Sequence, residues 1–167
     1  MPEKDYAAEY LALKAANDQL RERGKQWLFD SLNQICAEIN QQLLAQGNQQ
    51  TGAASIQTGV QQNWQFKVEN AVMVGERFGA RLRYRTLTVE VGWPRLPEHG
   101  YITDGGLARG RVGLSQNTMI EPQPIAELVL KKAGSSKPVW FVFKNKILGE
   151  QVGEASLREY LNLLFTD

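Results

Sequence analysis

The sequence predicts an α+β fold: a long or broken N-terminal helix, then an antiparallel sheet of about six or seven strands, then a C-terminal helix packed on the same sheet face. Three observations predict it. Apolar residues step by three and four from Tyr6 to Leu43, alternate with polar residues from Trp64 onward, and return to helical spacing in the closing segment "GEASLREYLNLLF". The chain divides accordingly into a helical segment (1–46), a Gln/Gly-rich linker (47–63) and a sheet with its closing helix (64–167), within a single domain.

In the first segment Tyr6, Tyr10, Leu13, Leu20, Leu28, Leu32, Ile35, Ile39 and Leu43 fall on one helical face, with Asn17 and Gly24 filling the gaps and no proline to interrupt it. A rod of this length spans about 60 Å, against about 40 Å for a compact domain of this size. Either it breaks near "RERGKQW", where Gly24 costs about 1 kcal/mol relative to Ala, or it protrudes and buries its stripe against a second copy. Gly24 lies on the stripe itself, which marks a place where another backbone comes close. Cys36, one position off the stripe, reads as a small core residue. The stretch "AQGNQQTGAASIQTGVQQN" that follows has almost nothing large to bury and reads as a linker of about 15 residues.

Trp64, Phe66, Val68, Val72 and Val74 share even positions, so "WQFKVENAVMV" reads as one long strand. "GERFG" then serves as a hairpin turn that sets Val74 against Ala80 and Val72 against Leu82. Beyond Tyr84 the apolar series moves to odd positions: Leu87, Val89, Val91 and Trp93. With no Gly or Pro at the switch, a β-bulge at Arg85 or Thr86 is expected, returning both series to one core. Arg81, Arg83 and Arg85 then line the opposite face, and a second hairpin turning at Asp104 to Gly106 adds Arg109 and Arg111 to it. Five arginines on one face are a candidate site for an anion or a nucleic acid, because each guanidinium offers a bidentate fork. Residues 51–120 carry eight Lys+Arg against five Asp+Glu, which supports a local excess. Trp64, Tyr84 and Trp93 belong to the buried series, however, so the arginines lack interleaved aromatics on which bases stack, and a solvated face is the plainer reading.

Farther on come "IAELVLKKA", a turn at "GSSKP", the all-apolar "VWFVF" (Val139 to Phe143), expected to be a central strand covered on both faces, and "KILGEQV". In the closing helix Ser156 and Glu159 have capping-box spacing, and Leu157, Tyr160, Leu161, Leu164 and Phe165 form its apolar face.

Whole-chain composition limits the function. Lys+Arg 19 against Asp+Glu 18 argues against a chain built as a whole to coat nucleic acid or an anionic membrane. One cysteine excludes an internal disulfide, and one histidine, His99, leaves a zinc site without its usual ligands. No apolar run approaches the roughly 20 residues that span a bilayer, and the charged start "MPEKDYAAEY" has no secretory core, so a cytoplasmic protein is expected. A hydrolase reading recruits Ser115, His99 and Asp104, yet no nucleophile elbow surrounds the serine. "GGLARGRVG" lacks the ending of a P-loop. No metal or cofactor is expected, and catalysis is not indicated.

The expected function is therefore a non-catalytic interaction or regulatory module that self-associates through the N-terminal stripe or the all-apolar strand. The alternatives are anion or nucleic-acid binding through Arg81, Arg83, Arg85, Arg109 and Arg111, and, third, an enzyme using His99.

Overall fold

A single uninterrupted helix, α1 (Tyr6–Ala45), begins the fold. The computed structural model describes residues 5–46, 55–102, 106–117, 119–134 and 137–166. After α1 come β1 (Gln57–Val68), β2 (Ala71–Leu82), β3 (Arg85–Trp93), a 3-10 turn at Pro97–His99, β4 (Ala108–Ser115), β5 (Gln123–Ala133), β6 (Lys137–Lys144), β7 (Ile147–Gln151) and α2 (Glu154–Asn162). The seven strands form one antiparallel sheet in which each neighbours its successor. β1 begins at Gln57, so residues 57–63 are strand rather than linker.

Asp5 caps α1, its carboxylate accepting the Ala8 N–H at 3.1 Å. The helix does not break at Gly24. From Leu20 to Cys36 it lies on the sheet, burying Leu20, Leu28, Phe29, Leu32, Ile35 and Cys36. Gly24 brings it down onto β5, where a Cβ would stand 2.6 Å from Leu130 Cδ2. Trp140 of β6 donates its indole N–H to the Gly24 carbonyl at 2.9 Å. The partner that needs the missing side chain is thus a sheet side chain rather than a backbone. Toward its N-terminus the helix leaves the sheet, and every residue from Asp5 to Ala16 is exposed.

Register places Phe78 and Ala80 of β2 opposite Val89 and Leu87 of β3, and Val89 opposite Val112 of β4. With Leu128, Leu130 and Trp140 they form the main core under α1. α2 joins the same face: Leu157, Leu161 and Leu164 enter that core, and Arg158 bridges Glu38 of α1 and Glu154. Hydrogen bonds to Glu38 and then Glu154 hold the Arg158 pKa above its ordinary value. The cap of α2 differs from expectation: Gly153 is the N-cap, and Ser156 Oγ accepts the Gly153 N–H at 3.4 Å.

The hairpins turn where the sequence showed no turn signal. Val68 pairs with Ala71 around Glu69 and Asn70, and Leu82 pairs with Arg85 around Arg83 and Tyr84. Glu69 and Arg83 take φ of 55° and 56°, left-handed values that glycine usually supplies. "GERFG" lies inside β2. The switch from even to odd apolar positions after Tyr84 is therefore a chain reversal and not a bulge at Arg85 or Thr86. Leu82 and Leu87 still share one face, because Ala80 opposes Leu87. A bulge exists in β1 instead, between Gln61 and Trp64, with Asn63 at φ 57°. It turns Trp64, Phe66 and Val68 to the face away from the helices, where Phe66, Val68, Ala71 and Met73 make a second, smaller core.

That second core is closed by folding the sheet over itself. A Cβ on Gly75 would lie 1.9 Å from the Val91 carbonyl oxygen, and one on Gly92 would lie 2.9 Å from the Val74 carbonyl carbon, so only glycines permit this crease between β2 and β3. Beyond it the β1–β2 hairpin curls back. Arg111 of β4 reaches the Lys67 carbonyl of β1 at 3.1 Å, although the two strands are three places apart, about 14 Å in a flat sheet.

The remaining expectations fare unevenly. β6, which holds Val139 to Phe143, is next to the edge strand β7 and is not central. The turn expected at Asp104 to Gly106 falls largely on residues 103–105, outside the described residues; Tyr101 and Ile102 before it are not strand, and β4 pairs with β3. Among the described residues no helix is long and apolar enough to cross a membrane.

Candidate functional site

The five arginines do not share a surface. Hairpin reversal puts Arg85 opposite Leu82 on the helix-covered face, where its guanidinium donates to the Leu163 carbonyl of the C-terminal helix cap. Arg83 occupies the turn, and the Arg81 side chain folds onto the Arg83 carbonyl at 2.8 Å. Arg109 is buried at 2% exposure over the Phe143 ring, its Nε without an acceptor among the described residues and its nearest carboxylate oxygen, on Glu127, 3.6 Å away. Arg111 lines a cavity, and its hydrogen bonds are already committed. Tyr84, expected in the buried series, is 76% exposed at the turn.

The cavity is a cleft of about 530 Å³ on the open sheet face, between the curled β1–β2 hairpin and the β4–β5 connection. The curl brings its inner wall together. Trp64 donates its indole N–H to Glu90 Oε2 at 2.6 Å. Arg111 grips both oxygens of Glu90 at 3.2 Å, lies over the Phe66 ring and donates to Lys67. Glu90 thereby accepts three charge-assisted or indole bonds, and neither it nor Arg111 has much left to offer. Arg77 stacks on the other aromatic surface of the wall, its guanidinium carbon 4.6 Å from the Trp64 ring centroid. It has no hydrogen-bond or ion-pair partner among the described residues. Glu121 and Glu127, both exposed, stand on the far wall, and Thr88, Gly113 and the prolines Pro122 and Pro124 complete the lining.

No protein-family model, curated protein or solved structure matches this chain. The site is therefore interpreted from its own chemistry.

The catalytic triad does not assemble. The Ser115 hydroxyl lies between the Asn117 and Ile120 carbonyls, its one proton shared between them, and locks the end of β4. It pairs with Thr86, beside Arg81, whereas Gly100, next to His99, packs on Ala71 at the other end of β2, about 30 Å away along the strand. His99 Nδ1 accepts the Leu96 N–H at 3.3 Å. Asp104 lies outside the described residues. Among those residues no group of His, Cys, Asp and Glu is arranged to hold a metal ion.

A second buried cation has its partners. Lys25, 6% exposed, donates to Glu76 at 2.8 Å and pairs with Glu22 at 2.9 Å, pinning α1 to β2 beside Trp93. Burial, the largest influence, pulls its pKa down, but the bonds to Glu76 and Glu22 outweigh that and leave it above the ordinary value.

The exposed start of α1 is the other unusual surface. Tyr6, Tyr10 and Leu13 are 73%, 65% and 59% exposed, and they continue the same stripe that is buried from Leu20 onward. The stripe is bordered by Glu9 and Ala16 on one side and by Lys14 and Ala7 on the other.

Proposed function

We propose that the protein is a self-associating interaction module whose exposed helical start pairs antiparallel with the same segment of a second copy. The observation that carries this reading is the stripe itself, continuous in spacing from Tyr6 to Ile35 but covered by the sheet only from Leu20. A surface of this kind, apolar at Tyr6, Tyr10 and Leu13 along one helical face, fits a partner helix better than it fits water.

Sterics select the occupant and its direction. A parallel partner running along the stripe collides with the sheet that begins at Leu20. An antiparallel copy stops there, because its own stripe is covered by its own sheet at the same position. In that arrangement Tyr10 meets Leu13 of the second copy and Tyr6 meets Asn17, so the phenol finds an amide and the aromatic ring an aliphatic side chain. Ala7 and Ala16 at the edges of the stripe add little bulk between the backbones. The pair is isologous and closes on itself. Four tyrosines and two leucines bury on the order of 1,000 Å² in total, at the lower end for a specific interface, so association is concentration-dependent.

Light scattering over a concentration series up to about 100 micromolar tests this. The full chain is expected to approach twice its monomer mass, and Leu13→Glu, which touches nothing in the core, to remain monomeric. A wild-type monomer throughout, or a dimer indifferent to Leu13→Glu, overturns the proposal.

A further inference from the structure

We propose that the cleft between the curled hairpin and the β4–β5 connection binds a small zwitterion carrying a carboxylate and an ammonium group, the chemistry of a free amino acid or short peptide. The argument begins with what the wall has already used. Trp64 is held by Glu90, Glu90 by Arg111, and Arg111 by the Lys67 carbonyl and the Phe66 ring. Among the described residues every polar member of this network has a hydrogen-bond or ion-pair partner except Arg77, although Arg77 sits directly across the strands from Glu90.

Because Glu90 is turned toward Trp64 and Arg111, it leaves the Arg77 guanidinium without a carboxylate. The Trp64 ring holds the Arg77 guanidinium at the cleft wall, where its fork of donors is available to a ligand. A carboxylate or phosphate is the natural complement to such a fork. The far wall then selects between them. Glu121, with Glu127 beside it already shared with Arg109 at 3.6 Å, repels a polyanion and attracts an ammonium group, which disfavours phosphates and nucleic acid and favours a ligand with one charge of each sign. Arg77 on β2 and Glu127 on β5 are three strand spacings apart, about 14 Å between backbones, which inward-reaching side chains narrow to the span of one small molecule. The volume of about 530 Å³ lies within the range of small-ligand sites, and Pro122 and Pro124 supply a rigid apolar border.

The test follows the Trp64 indole N–H by NMR in 15N-labelled full chain, which has four tryptophans and so four indole signals. The probes are the free L-amino acids and L-alanyl-L-alanine, with acetate, inorganic phosphate and a single-stranded oligonucleotide as comparisons. At least one amino acid or the dipeptide is expected to move the Trp64 signal saturably and at least tenfold more tightly than acetate. Arg77→Gln is expected to weaken that binding at least tenfold while the other three indole signals stay in place. If Arg77→Gln disturbs those signals, Arg77→Lys, which keeps the charge but loses the fork, is read by the same criterion. Glu121→Gln, which leaves the Arg109–Glu127 pair in place, is expected to weaken the zwitterion and leave acetate unaffected. No response to any zwitterion, an unchanged affinity in the Arg77 variant, or a stronger response to phosphate or oligonucleotide overturns the proposal.

Discussion

Trp140 and Gly24, 116 positions apart, are joined by an indole N–H to carbonyl hydrogen bond of 2.9 Å, and Leu130 fills the space that a side chain at Gly24 would need. The pair seats the middle of α1 on β5 and β6. It also explains why a glycine stands in the interior of a helix, where intrinsic preference opposes it.

Gly24→Ala sets two effects against each other. Helix propensity favours the change by about 1 kcal/mol, whereas forcing a methyl against the fully buried Leu130 costs about 1–3 kcal/mol. A net loss of about 1 kcal/mol is expected in denaturant unfolding. In a Leu130→Ala background the space is free, and the same change should become stabilising.

The crease offers a sharper contrast. Gly75→Ala drives a methyl into the Val91 carbonyl, a backbone group that cannot turn aside, and is expected to cost about 3 kcal/mol or more. Gly59→Ala, in the same hairpin but with nothing within 4 Å, should change stability by less than about 1 kcal/mol. Thermal unfolding of the two variants side by side checks the pair.

Arg109 is a buried charge with one distant partner and an Nε that bonds nothing among the described residues. Desolvating it is costly, and Phe143 already provides an apolar neighbour. Arg109→Met should therefore leave stability unchanged or raise it by up to about 2 kcal/mol, and Glu127→Gln should lower it. A large loss in Arg109→Met, measured by urea unfolding, contradicts this account.

Stability should decline at alkaline pH. Burial pushes the Cys36 thiol up to about 11 from 9.0, so above pH 9 the unfolded chain loses this proton while the folded one keeps it, and unfolding is favoured as pH rises. Lys25, also raised, acts with the same sign at still higher pH, its contribution being complete below its unfolded value and lost as pH rises through its folded one. Melting temperatures from pH 7 to 11 are expected to fall less steeply above pH 9 in Cys36→Ala than in the wild type.

Much of the scaffold was legible in the sequence because helices announce themselves locally. The stripe from Tyr6 to Leu43 and the apolar face of α2 are each built from residues three and four apart. Strand ends were harder, since alternation tells which side chains share a face but not where the strand stops. A chain reversal at Arg83–Tyr84 and a one-residue bulge both switch the phase of an apolar series, and the non-glycine turn at Arg83 removed the usual signal. Conversely, "GERFG" has the look of a turn because Gly75 is required for a crease. That error spread to the site: with the reversal placed wrongly, Arg85 was assigned to the arginine face although Leu82 is its neighbour across the hairpin. Arg77 and Glu90 are neighbours across β2 and β3, but Trp64 of β1 reaches Glu90 two strands away only because the sheet curls, which nothing in their spacing reports.

The account depends most on the antiparallel pairing of the exposed helix starts. Cysteine cross-linking measures it directly, since the native Cys36 is buried and its raised pKa keeps it out of the reaction. Tyr10→Cys and Leu13→Cys chains, mixed under mild oxidation, should form the mixed disulfide in preference to either homodisulfide. Homodisulfides in each variant alone, as a parallel pair would give, or no cross-link above that of the wild type, would contradict it.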